Sequence, residues 1–177
     1  SEIAQQKADI EKQLAEARAL VETIRAHEGE ARSVIDKLKP GEVPTSPQDL
    51  QTISDIASRA LAKPRKERTL DEYRALVIQA AIEKDWEAME RRAAAMAYLF
   101  EDAGSASVAF ALFSRAYAIG QLDRSEDAIA VYDDLLRRFG DSDLPALQER
   151  VAMALVNKGI TLGELDRPED EMAVYDD

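Results

Sequence analysis

Slid along itself by 43 residues, the chain matches itself. Residues 108–134 (VAFALFSRAYAIGQLDRSEDAIAVYDD) fall on residues 151–177 (VAMALVNKGITLGELDRPEDEMAVYDD) with 15 of 27 positions identical, where chance in so alanine-rich a sequence gives about two. A segment written twice must adopt one local structure twice, and a unit this short shelters its apolar face only by stacking on a neighbour. In each copy an apolar helix ends at Gly120-Gln121-Leu122 or Gly163-Glu164-Leu165, and Asp-Arg makes the turn. Ser125-Glu126-Asp127 or Pro168-Glu169-Asp170 then opens a second helix, with acidic residues at the positive helix end.

The rest of the chain speaks the same language. Alanine, leucine, glutamate, lysine and arginine dominate, glycine and proline are sparse, and no run alternates with period two for long enough to make a strand. The expected fold class is all-α, with antiparallel helix hairpins stacked on one another. Breakers at Pro40-Gly41, Pro64, Gly104 and Gly140 divide it. The expected segments are a long helix over residues 1–39, a linker with a short helix over 40–68, a helical hairpin over 69–104 and the repeats over 105–177. Ser46 with Pro47 and Asp49 starts the short helix, which runs to about Ala62. Thr69 with Glu72 forms a capping box. The basic run Lys63 to Arg68 (KPRKER) reads as a solvated loop between helices.

Within the first segment, Ile3, Lys7, Ile10, Leu14, Ala17, Val21, Ile24, Glu28, Ala31, Ile35 and Leu38 recur at alternating steps of four and three, which is the seam of a coiled coil. Gly29 is a candidate kink. Two readings stay open: the seam packs against the chain's own later helices, or it mediates homo-oligomerisation through residues 3–38. Lys7 and Glu28 weaken a simple parallel dimer.

The repeated hairpin resembles the tetratricopeptide repeat family, which implies hairpins stacked as a superhelix. The resemblance rests on a small residue in the first helix (Ala116, Gly159), another twelve residues on (Ala128), and Tyr132 and Tyr175 filling the space beyond. It covers residues 108–177 well and residues 70–101 weakly, where Tyr73, Leu76, Trp86 and Ala88 suggest a degenerate copy. Two features depart from the family pattern. The offset of 43 exceeds the family's period of about 34 residues, implying a longer first helix, residues 145–165, started by Ser142 or Asp143. Glu171 stands where a second small residue belongs, implying a looser last hairpin. The final helix stops before any counterpart of Leu135, Leu136 and Phe139, so the expectation is a piece of a longer protein, with any enzymatic or effector domain elsewhere.

Chemistry finds little foothold. There is no cysteine, and His27 is the single histidine, placed on the long helix without the companions a metal set requires. Nucleotide-binding and nucleophile-elbow patterns are missing. Acidic pairs such as Asp133-Asp134 and Asp176-Asp177 read as solvating surface. No catalytic residue, metal or cofactor is expected. With 35 acidic against 23 basic residues the net charge is −12, which repels phosphate backbones and anionic headgroups. No segment approaches the ~20 apolar residues of a membrane span. Neither nucleic acid nor membrane is therefore an expected partner, and a cytoplasmic location is expected.

The resemblance implies binding of a protein or peptide on an inner face lined by the first helix of each hairpin. Carried onto this sequence, that face presents Phe110, Phe113, Ser114, Tyr117 and Gln121 from one copy, and Met153, Val156, Asn157, Ile160 and Glu164 from the next. Family members that grip a peptide's C-terminal carboxylate use lysines and asparagines there, and Asn157 alone does not make such a clamp. The expected function is a non-catalytic interaction adaptor. The alternatives are an oligomerisation module through the N-terminal seam, or the regulatory part of an enzyme. Phe110, Phe113 and Tyr117 are either an open groove or core covered by an N-terminal helix.

Overall fold

A computed structural model describes residues 1–166 and 168–175. Among these, eight α-helices follow one another: α1 (Glu2–Ile35), α2 (Pro47–Leu61), α3 (Leu70–Glu83), α4 (Trp86–Leu99), α5 (Ser105–Gln121), α6 (Ser125–Phe139), α7 (Pro145–Glu164) and α8 (Pro168–Tyr175). Single 3₁₀ turns, Arg65–Glu67 and Glu101–Ala103, precede α3 and α5. The described residues contain no strand, and none of their helices is long and apolar enough to cross a membrane. Arg167, Asp176 and Asp177 lie outside the described residues, so half of the second Asp-Arg turn and the last acidic pair go without a structural account.

Helix starts follow side-chain chemistry. Ser46 Oγ accepts the Asp49 amide at 3.1 Å, with Pro47 fixing the first turn of α2. At α3 the capping box is complete: the Glu72 amide donates to Thr69 Oγ1 at 3.2 Å and the Thr69 amide to Glu72 Oε2 at 2.8 Å. Asp85 Oδ1 accepts the Ala88 amide at 3.0 Å to open α4. Helix α7 begins at Pro145 as expected, but neither Ser142 nor Asp143 caps it: Leu144 stands at the N-cap and no side chain closes the first turn. Ser142 instead takes the Leu144 amide in the preceding loop, and the fixed φ of Pro145 starts the helix unaided.

The two copies of the repeat share their backbone as well as their letters. Helices α5 and α7 both end on a leucine, Leu122 or Leu165, followed by an aspartate in the left-handed region, Asp123 at φ 58° and Asp166 at φ 54°. Aspartate tolerates that region better than most side chains. Each turn is so short that the next helix must fold back on the one before it.

Each helix packs on its neighbour in the chain, and α5 also meets α7. The core is accordingly a series of seams. One joins Phe113, Ala116 and Ile119 of α5 to Ala128, Tyr132 and Leu135 of α6 and Ala154 of α7. Another joins Val77 and Ala80 of α3 to Ala88, Met89 and Ala93 of α4 and Ala118 of α5. Fully buried alanines sit at these crossings, where the lack of a longer side chain lets helix axes approach closely.

The basic run after α2 is more than a solvated loop. Arg68 donates to the carbonyls of Ala60 at 2.8 Å and Lys63 at 3.2 Å, closing the C-terminal end of α2. Lys63 itself pairs with Glu72 of the capping box.

Helix α1 runs unbroken through Gly29, and its seam is buried only at the end, where Ala31, Val34 and Ile35 pack against α2 and α3, while Ile24 and Glu28 just before them face α2 and α3 across a cavity. Ile3 stays 78 %, Ile10 63 %, Leu14 49 % and Ile24 43 % exposed. The 15 residues of α2 cannot cover a helix of 34, about 51 Å long at ~1.5 Å per residue. The expectation that the seam packs on the chain's own helices therefore holds only for this last stretch. Charge fixes that junction: Asp71 of α3, 4 % exposed, accepts from Arg32 at 2.6 Å and Arg74 at 3.3 Å, and Arg74 also reaches Asp36 at 2.6 Å.

Candidate functional site

The loop after α1, residues 36–42, lies across α3, α5 and the start of α7, and a cavity of about 350 Å³ remains beneath it. Gly41, at φ 82°, lets this loop pass over the Phe113 ring, to which a methyl group at position 41 would be 3.6 Å away. Helix α5 supplies an aromatic floor. Phe113 and Tyr117, one turn apart, stack with centroids 6.5 Å apart; Tyr132 of α6 meets Phe113 edge-on at 6.1 Å, and Trp86 of α4 meets Tyr117 at 5.9 Å.

Two guanidinium groups converge on this floor. Arg74 lies 5.6 Å from the Phe110 centroid, and Arg150 of α7 lies 5.2 Å from Phe110 and 5.8 Å from Phe113. Their electrostatic situations differ. Arg74 is matched by Asp71 and Asp36, whereas Arg150 has no carboxylate within ion-pair distance among the described residues. Burial, and then the charge of Arg74, push the Arg150 pKa down to about 10, with Glu149 opposing the shift. A half-buried cation without an ion-pair partner lacks part of the compensation that usually accompanies burial, and this cation faces the cavity, whose rim also carries Asp36, Glu42 and Glu149.

Of the residues expected on the binding face, four line this cavity: Phe110, Phe113, Ser114 and Tyr117. Phe113 and Ser114 are core, 1 % and 4 % exposed, while Phe110 and Tyr117 are half-buried. The loop after α1 and helix α7 cover them from one side, and the N-terminal helices from the other: Phe110 packs against the cluster of Ile35 of α1 and Ile78 of α3, and both Phe110 and Tyr117 pack on the seam of Val77 and Met89. The other six lie elsewhere. Met153 packs half-buried on the α5–α6 seam, and Asn157 spends its amide on the Met153 carbonyl at 2.8 Å. Gln121, Val156, Ile160 and Glu164 are exposed outside the cavity. Arg150 escaped sequence reasoning although it precedes Met153 by three residues and Asn157 by seven on one helix face. A lone charge on an apolar stripe was the available signal. Arg74 and residues 36–42 gave none, because only the fold brings them to α5.

A second cavity, of about 320 Å³, lies where α1 passes α2 and α3, and is lined by Leu20, Ile24, His27, Glu28, Arg59 and Asp71 among others. His27 is half-buried there, its Nδ1 against the Arg59 guanidinium, rather than freely exposed.

The chain matches no protein-family model, no curated protein and no solved structure.

Proposed function

We propose that this chain is a non-catalytic adaptor that binds another protein through a peptide segment, using the α5–α7 face of hairpins that resemble tetratricopeptide repeats. The observation that carries the reading is Arg150, a half-buried guanidinium stacked on Phe110 and Phe113 at the edge of a cavity, with no carboxylate at ion-pair distance among the described residues. The segment that fits carries an acidic residue for Arg150 beside an apolar or aromatic residue for the Phe110–Tyr117 floor. An anion there gains a charge-assisted hydrogen bond in a place poor in water, and the aromatic surface supplies apolar anchorage.

Selection of random displayed peptides on the folded chain tests the proposal. Acidic sequences with a neighbouring large apolar residue are expected, and they should lose at least about tenfold in affinity for Arg150→Met, the size of one charge-assisted contact. Selected peptides that bind parent and Arg150→Met equally would reject the cavity as the binding site.

A further inference from the structure

We infer that residues 3–28 of α1 form an antiparallel coiled coil with the same residues of a second copy of this chain, in a single register. This inference is independent of the peptide-binding reading, because it uses none of the α5–α7 face. Its starting point is the bare seam: Ile3, Ile10, Leu14, Val21 and Ile24 are all exposed, and the same stripe is covered by α2 and α3 from Ala31 onward. The stretch that is not packed therefore ends at Glu28, itself half-buried at the cavity between α1 and α2, about 38 Å from Ile3 at ~1.5 Å per residue.

Two charged residues interrupt that free length, Lys7 and Glu28, and they decide the direction. Side by side and parallel, the helices would set Lys7 on Lys7 and Glu28 on Glu28, which is repulsive at both ends. Antiparallel, the layers become Ile3 with Glu28, Lys7 with Ile24, Ile10 with Val21, and Leu14 with Ala17, each occurring twice by symmetry. Lys7 then lies one helical turn from Glu28 of the second copy, within reach of its flexible stem.

Flanking charges decide the register. In this alignment Glu11, which follows Ile10, faces Arg18 of the second copy, which follows Ala17, and this happens on both halves. Sliding by one heptad to shorten the overlap sets Glu11 against Glu11. Sliding the other way sets Arg18 against Arg18 and requires Ala31, which is fully buried in its own chain. Little is given up within the single chain. Lys7 pairs with Glu11 at 3.9 Å with both side chains well exposed, and such surface pairs contribute little. Arg18 has no ion pair among the described residues.

Introduced thiols test the geometry cleanly, because the chain contains no cysteine. Ile10→Cys and Val21→Cys are made separately in the full chain, and each is oxidised alone and in an equimolar mixture. The antiparallel pairing predicts a disulfide between position 10 of one copy and position 21 of the other, forming only in the mixture. Like positions are about 16 Å apart, eleven residues along the helix, too far for a disulfide. Self-linking of either variant alone would establish a parallel pair and overturn the proposal, as would a monomeric mass for the parent chain by sedimentation at 100 µM protein (about that concentration serves weak coiled coils). Charge reversal gives the second readout. Lys7→Glu and Glu28→Lys should each weaken the dimer about tenfold, and the double reversal should restore it. A double variant as weak as either single one also overturns the register.

Discussion

Arg150 holds its guanidinium 5.2 Å from the centroid of Phe110, on the ring that Arg74 approaches from 5.6 Å. One cation of the pair is matched by aspartates, and the other has no carboxylate at ion-pair distance among the described residues. If Arg150 serves a ligand and not the fold, then replacing it with a methionine of similar reach leaves apolar surface against two rings and removes an uncompensated charge. Arg150→Met should be at least as stable as the parent in urea unfolding at neutral pH. A loss of more than about 1 kcal/mol, the scale of an ordinary useful contact, would assign Arg150 a structural role.

Asp71 is the opposite case, a buried carboxylate met by Arg32 and Arg74. Its hydrogen bond and charge raise the Arg32 pKa further above its ordinary value. Asp71→Asn keeps the shape but removes the charge, leaving the part-buried Arg74 with Asp36 alone. A destabilisation of about 2–4 kcal/mol is expected, in the range for breaking a buried pair from one side. Arg32→Met, at the exposed end, should cost less than about 1 kcal/mol. Equal costs would show that the pair does not act through the buried partner.

Gly159 leaves room for the Tyr175 ring, and a methyl group there would collide with it. Because Tyr175 is itself exposed and sits on the last helix, the ring can swing away. Gly159→Ala should therefore loosen α8 and leave the rest intact. Hydrogen exchange should speed up about threefold or more across residues 168–175, a local opening of under 1 kcal/mol, while α5 and α6 amides are unchanged. The counterpart Ala116 in the first copy is fully buried near Tyr132. Ala116→Gly should cost about 1 kcal/mol of global stability.

Tyr132 is buried, and that burial, aided by Tyr117, raises its phenol pKa above the ordinary 10.0. The folded state keeps the proton where the unfolded state loses it, so the stabilisation is complete below pH 10 and drains away as pH climbs through the raised value. Tyr132→Phe removes this loss. Its stability should match the parent within about 1 kcal/mol at pH 7 and exceed it increasingly above pH 10. Arg150, with its depressed pKa, adds stability over the same alkaline range. The informative quantity is therefore the difference between parent and Tyr132→Phe curves, and curves that stay parallel to pH 11 would refute the assignment.

Much of this molecule is written locally. Ser46, the Thr69–Glu72 box and the twin Asp123 and Asp166 turns act over three or four residues, so the letters alone set where those helices start and fold back. The repeat likewise announced two matching hairpins, since one string has one set of local preferences. Position 142 misled because a serine before a proline has two nearby amides to serve, and the loop took it.

What the sequence could not decide is which apolar stripes find cover. Phe113 and Ile10 both sit on periodic apolar faces, yet one is core and the other lies in water. The difference comes from the reach of α2 and the path of residues 36–42, quantities that belong to the whole chain's geometry. The convergence of Arg74 and Arg150, 76 positions apart in the chain, on Phe110 is of the same kind. Local chemistry fixed the helices, and only their packing in three dimensions chose which charges meet and which surfaces remain for others.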